Sequence, residues 1–350
     1  MSVDWSEAKV LVVGGAGFVG GNLTRALLNA GVKEVLIIDN LLSSEPDNLP
    51  KSSRLVFWEG SITDEIILEK ISDNFDYIFH LATYHGNQSS IHDPLADHEN
   101  NLVTTLKLFN RVKDFKTVRK VVYSGAGCAV AKKTFGEARA TEEDDSVSFD
   151  MDSPYSISKL VGEFYAVYFH KQHGLPTVRA RFQNVYGPGE VLGAGRWRGT
   201  PATVWRNVIP TFIYRAIKRM PLIVENEGLA TRDFIYVDDV VQGLLLCAEN
   251  GVPGEVYNLG SGRETSILEL ARLINELTKN PTPIEFGPKR DWDRSGRRFG
   301  STEKAKQEIG FSAGEDLVDG LLETVQWTYQ NLDFIDACIK KHNRYMMRDT

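Results

Sequence analysis

The sequence predicts an α/β protein, a doubly wound parallel sheet with a smaller α/β substrate-binding region toward the C-terminus. Three observations predict it. A glycine-rich turn separates a short β-branched run from a helical pattern near the N-terminus. Strand-like and helical runs then alternate, as in a parallel sheet covered on both faces. Beyond about residue 183 this alternation gives way to a mixed α+β pattern.

Lys9–Val13 reads as a buried strand. Gly14-Gly15-Ala16-Gly17-Phe18-Val19-Gly20 follows, then a helical pattern through Leu23, Ala26, Leu27 and Leu28. Glycines here let backbone approach a pyrophosphate, and the helix N-terminus faces its charge. This is the dinucleotide-binding (Rossmann) arrangement, with Gly14, Gly17, Phe18, Val19 and Gly20 as candidate cofactor contacts. A second strand over 34–38 leads to Asp39 and Asn40. A carboxylate about twenty residues beyond the fingerprint can accept both ribose hydroxyls and would repel a 2′-phosphate. No Arg or Lys follows within several residues, so the expected cofactor is NAD rather than NADP.

Further strands are expected over 55–58, 77–81, 121–123 and 177–182, with helices over 102–112 and 155–170. Residues 130–152 are polar and acidic and read as a long loop. Residues 187–206 are rich in Gly, Arg and Trp, and loops of that length are often functional. Then come a helix near 209–219, strands near 222–224 and 234–237, and helices over 240–248 and 267–278. With no repeat or clean linker, the second half is expected to fold onto the first.

The run Ser153-Pro154-Tyr155-Ser156-Ile157-Ser158-Lys159 opens one of these helices. Pro154 fits the first helical position and Ser153 the cap before it. Tyr155 and Lys159, four apart, share a helical face. A phenol ionises near pH 10, and a fixed cation nearby lowers that value. The pair therefore reads as a general base for an alcohol proton.

Composition narrows the classes. The chain has 350 residues, 42% of them hydrophobic, and a net charge of −7, which argues against nucleic-acid or anionic-membrane binding. Cys128, Cys247 and Cys338 form no metal or disulfide pattern. No signal-peptide core and no apolar run of roughly 18 residues is present, which leads us to expect a soluble, cytoplasmic protein.

Fingerprint, Asp39 and Tyr155-x-x-x-Lys159 together resemble the extended short-chain dehydrogenase/reductases, and within them the nucleotide-sugar epimerases and their dehydratase and decarboxylase relatives. The likeness runs from about Lys9 to about Phe311. Ile62-Thr63-Asp64 resembles the turn whose Asp binds the adenine amine. His80-Leu81-Ala82, followed by Thr83, resembles the strand end lining the cofactor. Asn101 resembles the Asn of a helix start behind the active site. Asn184, in Arg181-Phe-Gln-Asn-Val-Tyr-Gly-Pro188, and Arg232, in Arg-Asp-Phe-Ile-Tyr-Val-Asp238-Asp239, resemble residues that meet the substrate diphosphate. Val208 and Arg290 complete the substrate set that the resemblance implies. Residues 1–182, with 234–260 returning, would then bind NAD; 183–233 with 261–350 would bind a nucleotide sugar.

The pattern breaks at one place. The family usually carries a Ser or Thr that hydrogen-bonds the reacting hydroxyl. In Val122-Tyr123-Ser124-Gly125-Ala126-Gly127-Cys128 that position falls on Ala126. Ser124 could take the role, water or another residue could hold the substrate, or catalysis could be lost. Family dehydratases place Asp-Glu directly after their Thr, and decarboxylases keep a Glu; here Gly127 and Cys128 stand there. Cys128 is a candidate acid or base, its alternative being a small buried side chain. His85 is a candidate sugar contact, and Arg196 or Arg198 a candidate for an acidic sugar carboxylate or the diphosphate.

The resemblance thus implies an NAD-dependent epimerase acting at C4 of a UDP-sugar, feeding polysaccharide synthesis. A dehydratase or decarboxylase, and an NAD-binding sensor without turnover, are the alternatives. It also implies a homodimer through the helices over 102–112 and 155–170, with Leu106, Phe109, Phe164 and Tyr168 as apolar residues there.

Overall fold

The computed structural model describes residues 3–131, 134–289, 293 and 296–347. The first half holds strands β1 (Lys9–Val13), β2 (Glu34–Asp39), β3 (Leu55–Glu59), β4 (Tyr77–His80), β5 (Lys120–Ala126) and β6 (Thr177–Phe182). Between them lie helices α1 (Phe18–Asn29), α2 (Glu65–Lys70), α3 (Asn87–His92), α4 (Pro94–Asp97), α5 (Thr104–Val112) and α6 (Pro154–His173). The second half adds β7 (Asn184–Tyr186), α7 (Val208–Ile217), β8 (Leu222–Glu225), β9 (Thr231–Arg232), β10 (Phe234–Tyr236) and α8 (Val237–Glu249). It continues with β11 (Val256–Leu259), β12 (Thr265–Ser266), α9 (Ile267–Thr278), β13 (Ile284–Gly287) and α10 (Glu303–Ile309). Helices α11 (Leu317–Gln330), α12 (Leu332–Lys340) and α13 (Asn343–Met346) close the chain.

A seven-stranded sheet has the order β11-β6-β5-β4-β1-β2-β3, with every pairing parallel. Side chains alternate across a strand, so β1 feeds two cores. Val10 and Val12 pack with Leu23 and Leu27 of α1 and with Val240 and Leu244 of α8. Leu11 and Val13 pack on the other face with Leu108 and Phe109 of α5 and Ala166 and Phe169 of α6. Burial on both faces is why these strands read as continuous apolar runs. A third core gathers Ile209, Phe212 and Ile213 of α7 with Leu270 and Ile274 of α9 and Leu321 of α11.

Three details shape the site. Helix α6 starts as its sequence predicts: Ser153 Oγ accepts the Ser156 N–H, and Pro154 follows. It lies close on β5 because Gly162 makes room for Tyr123; a Cβ there would sit 2.1 Å from the phenol oxygen. Ahead of α5 the chain forms a π-helix over His98–Val103, which takes in the first two residues of the helix expected over 102–112. The loop from 187 to 206 is pinned, with Val191, Leu192, Ala194 and Val204 packed on Ile335, Cys338 and Ile339 of α12.

Phe109 is fully buried in the sheet–helix core, so it belongs there and not to an interface. Phe164 and Tyr168, on the outer side of α6, are 58% and 50% exposed.

A buried ion pair ties α6 to β6. Glu163 accepts from Arg181 at 2.9 Å, and Arg179 approaches the same carboxylate at 3.4 Å. Glu163→Ala strands both guanidinium groups away from their counter-charge. It is expected to cost about 3–5 kcal/mol of stability, read by urea unfolding.

Candidate functional site

The ends of β1, β2, β4 and β5, with the first residues of α1, α6 and α7, surround a cavity of 640 Å³. Its first part is built on the glycine turn. Gly14 has φ +86°, and a Cβ there would lie 2.4 Å from the Ala82 nitrogen. Gly20 lies so close under the turn that a Cβ would meet Gly14 O at 2.2 Å. Gly17 caps α1 without a side chain, so the first N–H groups of the helix stay available to an anion. Gly14, Gly17, Phe18, Val19 and Gly20 all line the cavity, as do Asn40, Ile62, Leu81, Ala82 and Thr83.

Asp39 also lines it and is buried. One carboxylate oxygen accepts the Ala16 N–H at 3.0 Å; the other accepts from Leu41 N–H at 2.9 Å and Ser44 at 3.1 Å. Burial raises its pKa, and these hydrogen bonds oppose the rise. Asp39 thus braces the glycine turn against the end of β2. The turn, a bare helix start and a carboxylate at the strand end together fit a dinucleotide with free ribose hydroxyls.

Two expected cofactor contacts stand elsewhere. Asp64 is exposed and caps α2 by accepting the Ile66 N–H at 2.9 Å, while Gly60, Ser61 and Ile62 face the cavity. A short polar side chain one residue before a helix finds the helix N–H groups first. Asn101 is buried in the π-helix and does not line the cavity. Its Oδ1 accepts from Tyr84 N–H at 2.6 Å and Thr83 Oγ1 at 3.0 Å, and its Nδ2 donates to Asp97 at 2.7 Å and Ser158 at 3.1 Å. It positions the end of β4 against α6.

Tyr155 and Lys159 line the cavity together with Ser124, Ala126 and Cys128. Lys159 Nζ donates to Ser124 O at 3.0 Å and Ser124 Oγ at 3.2 Å. Burial pulls its pKa down to about 8, against Asp97, Cys128 and Glu163. Asp97 was missed in the sequence; it stands four residues before Asn101, one helical turn away. Burial also holds the Tyr155 phenol above its ordinary value, with Cys128 pushing the same way and Thr83 pulling down. The ammonium is anchored on Ser124, and burial is the largest influence on the phenol. Ser124 Oγ donates to His80 O at 3.0 Å, so its proton is already committed. Ser124 therefore anchors Lys159 at the cavity wall.

On the substrate side, Asn184, Val208, Arg232 and His85 line the cavity. Arg232 is buried, donates to Thr231 O and Gly296 O at 2.7 and 2.8 Å, and meets Asp293 at 3.5 Å. Arg290 lies outside the described residues; from the same basic run, Arg298 reaches the cavity. Arg198 does not line it. It is buried over the Tyr84 ring and donates to Ser43 Oγ at 2.7 Å. Arg196 lies at the surface on Asn40 O. Their loop folds back over residues 42–45, and this brings Arg206 to the cavity in their place. Glu190 and Asn207, also unforeseen, line it beside His85. Among the described residues no group of three or more His, Cys, Asp or Glu is placed to hold a metal ion. No helix among them is long and apolar enough to cross a membrane.

Comparison with known proteins agrees with this geometry. The NAD dependent epimerase/dehydratase family matches residues 10–260. The crystal structure of the Bordetella bronchiseptica enzyme WbmF with NAD+ and UDP is 60% identical, with a TM-score of 0.87, covering 97% of both chains. A putative UDP-glucose 4-epimerase of Methanocaldococcus jannaschii is 29% identical over 92% of this chain and 99% of its own. A probable dTDP-glucose 4,6-dehydratase of Sinorhizobium fredii is 28% identical over 92% of this chain and 93% of its own.

Proposed function

The chain belongs to the NAD dependent epimerase/dehydratase family, and we propose that it inverts C4 of a UDP-sugar through a transient 4-keto sugar. The observation that carries this reading is the placing of Tyr155 and Lys159 in one cavity with the glycine turn and with Asn184, Val208 and Arg232. The glycine turn, Asp39, Ile62 and Thr83 would hold NAD, which supplies a hydride acceptor and donor and a cationic ring that favours a phenolate nearby. Tyr155 takes the proton of the C4 hydroxyl and later returns it. Lys159, fixed on Ser124, adds positive charge one helical turn from the phenol. The α7 start at Val208, Asn184 and Arg232 orient the diphosphate. UDP is the favoured handle because the WbmF structure contains it.

A carboxylate is missing where elimination would need one, because Gly127 and Cys128 follow Ala126. One observation favours the second reading, a dehydratase or decarboxylase. Burial pushes the Glu190 carboxyl up to about 7, and one of its oxygens has no hydrogen-bond partner among the described residues. Incubation with UDP-, GDP-, CDP- and dTDP-sugars, followed by NMR of the products, separates the readings. C4 inversion of a UDP-sugar is expected; loss of water or carbon dioxide would replace it with the second.

A further inference from the structure

Around Ala126 the nearest hydroxyls are already committed. Ala126 offers none. The Ser124 proton goes to His80 O, and the Thr83 proton goes to Asn101 Oδ1. A hydroxyl has one proton to give, so neither can donate to a sugar as well.

His85 stands differently. Its ring meets Tyr155 edge-on with centroids 6.0 Å apart, and it lines the cavity. Its Nε2 lies 3.1 Å from Asn207 Oδ1. The Asn207 amide is oriented from behind, because its Nδ2 donates to Glu190 Oε1. With its NH2 on Glu190, the amide turns its oxygen to the imidazole, so Nε2 carries the hydrogen. Nδ1 is then a bare lone pair, and it has no hydrogen-bond partner among the described residues. The ring is neutral, since burial pulls its pKa down to about 4, with Arg206, Arg198 and Lys159 acting the same way.

We propose that His85 is a specificity-determining residue: its Nδ1 accepts a hydrogen bond from an O–H or N–H on C3, the carbon beside the one that reacts. This rests on the C4 reading above. A neutral acceptor facing the bound sugar loses its direct partner when the sugar lacks that donor. The site therefore selects sugars with a 3-hydroxyl or 3-acylamino group. Asn207 and Glu190 are positioning residues that hold the imidazole in the accepting tautomer.

The test is a pair of affinities on the NAD-loaded protein. Calorimetry compares the tightest-binding UDP-sugar of the panel with its 3-deoxy counterpart. Wild-type protein is expected to prefer the parent by about 10²-fold. His85→Phe keeps the ring contact with Tyr155 but has no acceptor, and its preference should fall to about threefold or less. His85→Gln offers an amide oxygen and should recover part of the discrimination. Equal preference in wild type and His85→Phe, or a tightest binder with no donor at C3, would overturn the proposal. Because binding is read and not turnover, a failure of the C4 reading appears separately, in the NMR products.

Discussion

Tyr155→Phe is expected to lower kcat by about 10³-fold while KM changes little. The substitution removes one oxygen and leaves the ring that touches His85 in place. Lys159 stays on Ser124, because its two hydrogen bonds do not involve the phenol. The cofactor side, built from the glycine turn and Asp39, is untouched, so NAD retention should match wild type and show that the fold survives. The pH profile adds a second readout. Lys159 carries its charge below about pH 8 and loses it above. Wild-type kcat should therefore fall off above about pH 8 as the cation is lost. The residual activity of Tyr155→Phe, which has no phenol for that cation to assist, should lack this fall. Steady-state kinetics on the substrate identified by NMR measure both. A variant keeping a tenth or more of wild-type kcat would remove Tyr155 from the role of base.

Gly14→Val should bring the largest loss of stability among single changes in the glycine turn. At φ +86° a branched side chain is strained, and the Cβ would overlap Ala82 backbone at 2.4 Å and Leu81 backbone at 2.8 Å. Backbone atoms just beyond β4 cannot swing aside as a side chain can. Strain and overlap together are expected to cost on the order of 4 kcal/mol. Gly31→Ala is the control. Gly31 has a similar φ of +85° but open space around it, so only the conformational strain of about 1 kcal/mol remains. Thermal unfolding reads the stability difference, and the absorbance of nucleotide released on denaturation reads bound NAD. Gly14→Val should lose both, Gly31→Ala neither to any large degree. Wild-type melting and NAD content in Gly14→Val would sink the account of the turn.

Much of the fold was legible because it rests on short-range physics. The apolar runs over 10–13 and 35–38 are buried on both faces, and such runs announce a strand wherever they stand. Ser153-Pro154 capped α6 as written, since a cap needs only its next three residues. The π-helix at His98–Val103 was not legible. Its sequence still has helical periodicity, and the widened turn depends on Asn101 meeting Thr83, Tyr84 and Ser158 from other elements. Helices α11 and α12 went unassigned, although they form the support for the loop over 187–206.

The candidate site divides along the same line. Sequence alone determined the glycine turn, the carboxylate that ends β2 and the Tyr155–Lys159 pair on one helix. Each is a matter of residue type at a fixed local spacing. Only the tertiary structure decided the rest. It put Asp64 on a helix cap, tied Ser124 to Lys159 and His80, buried Phe109 in the core, and brought Arg206 to the cavity in place of Arg198. It also assembled His85, Asn207 and Glu190 from three separate stretches of chain. A polar side chain takes the nearest suitable partner. When that partner is more than a hundred residues away, folding and not spacing determines which one it is.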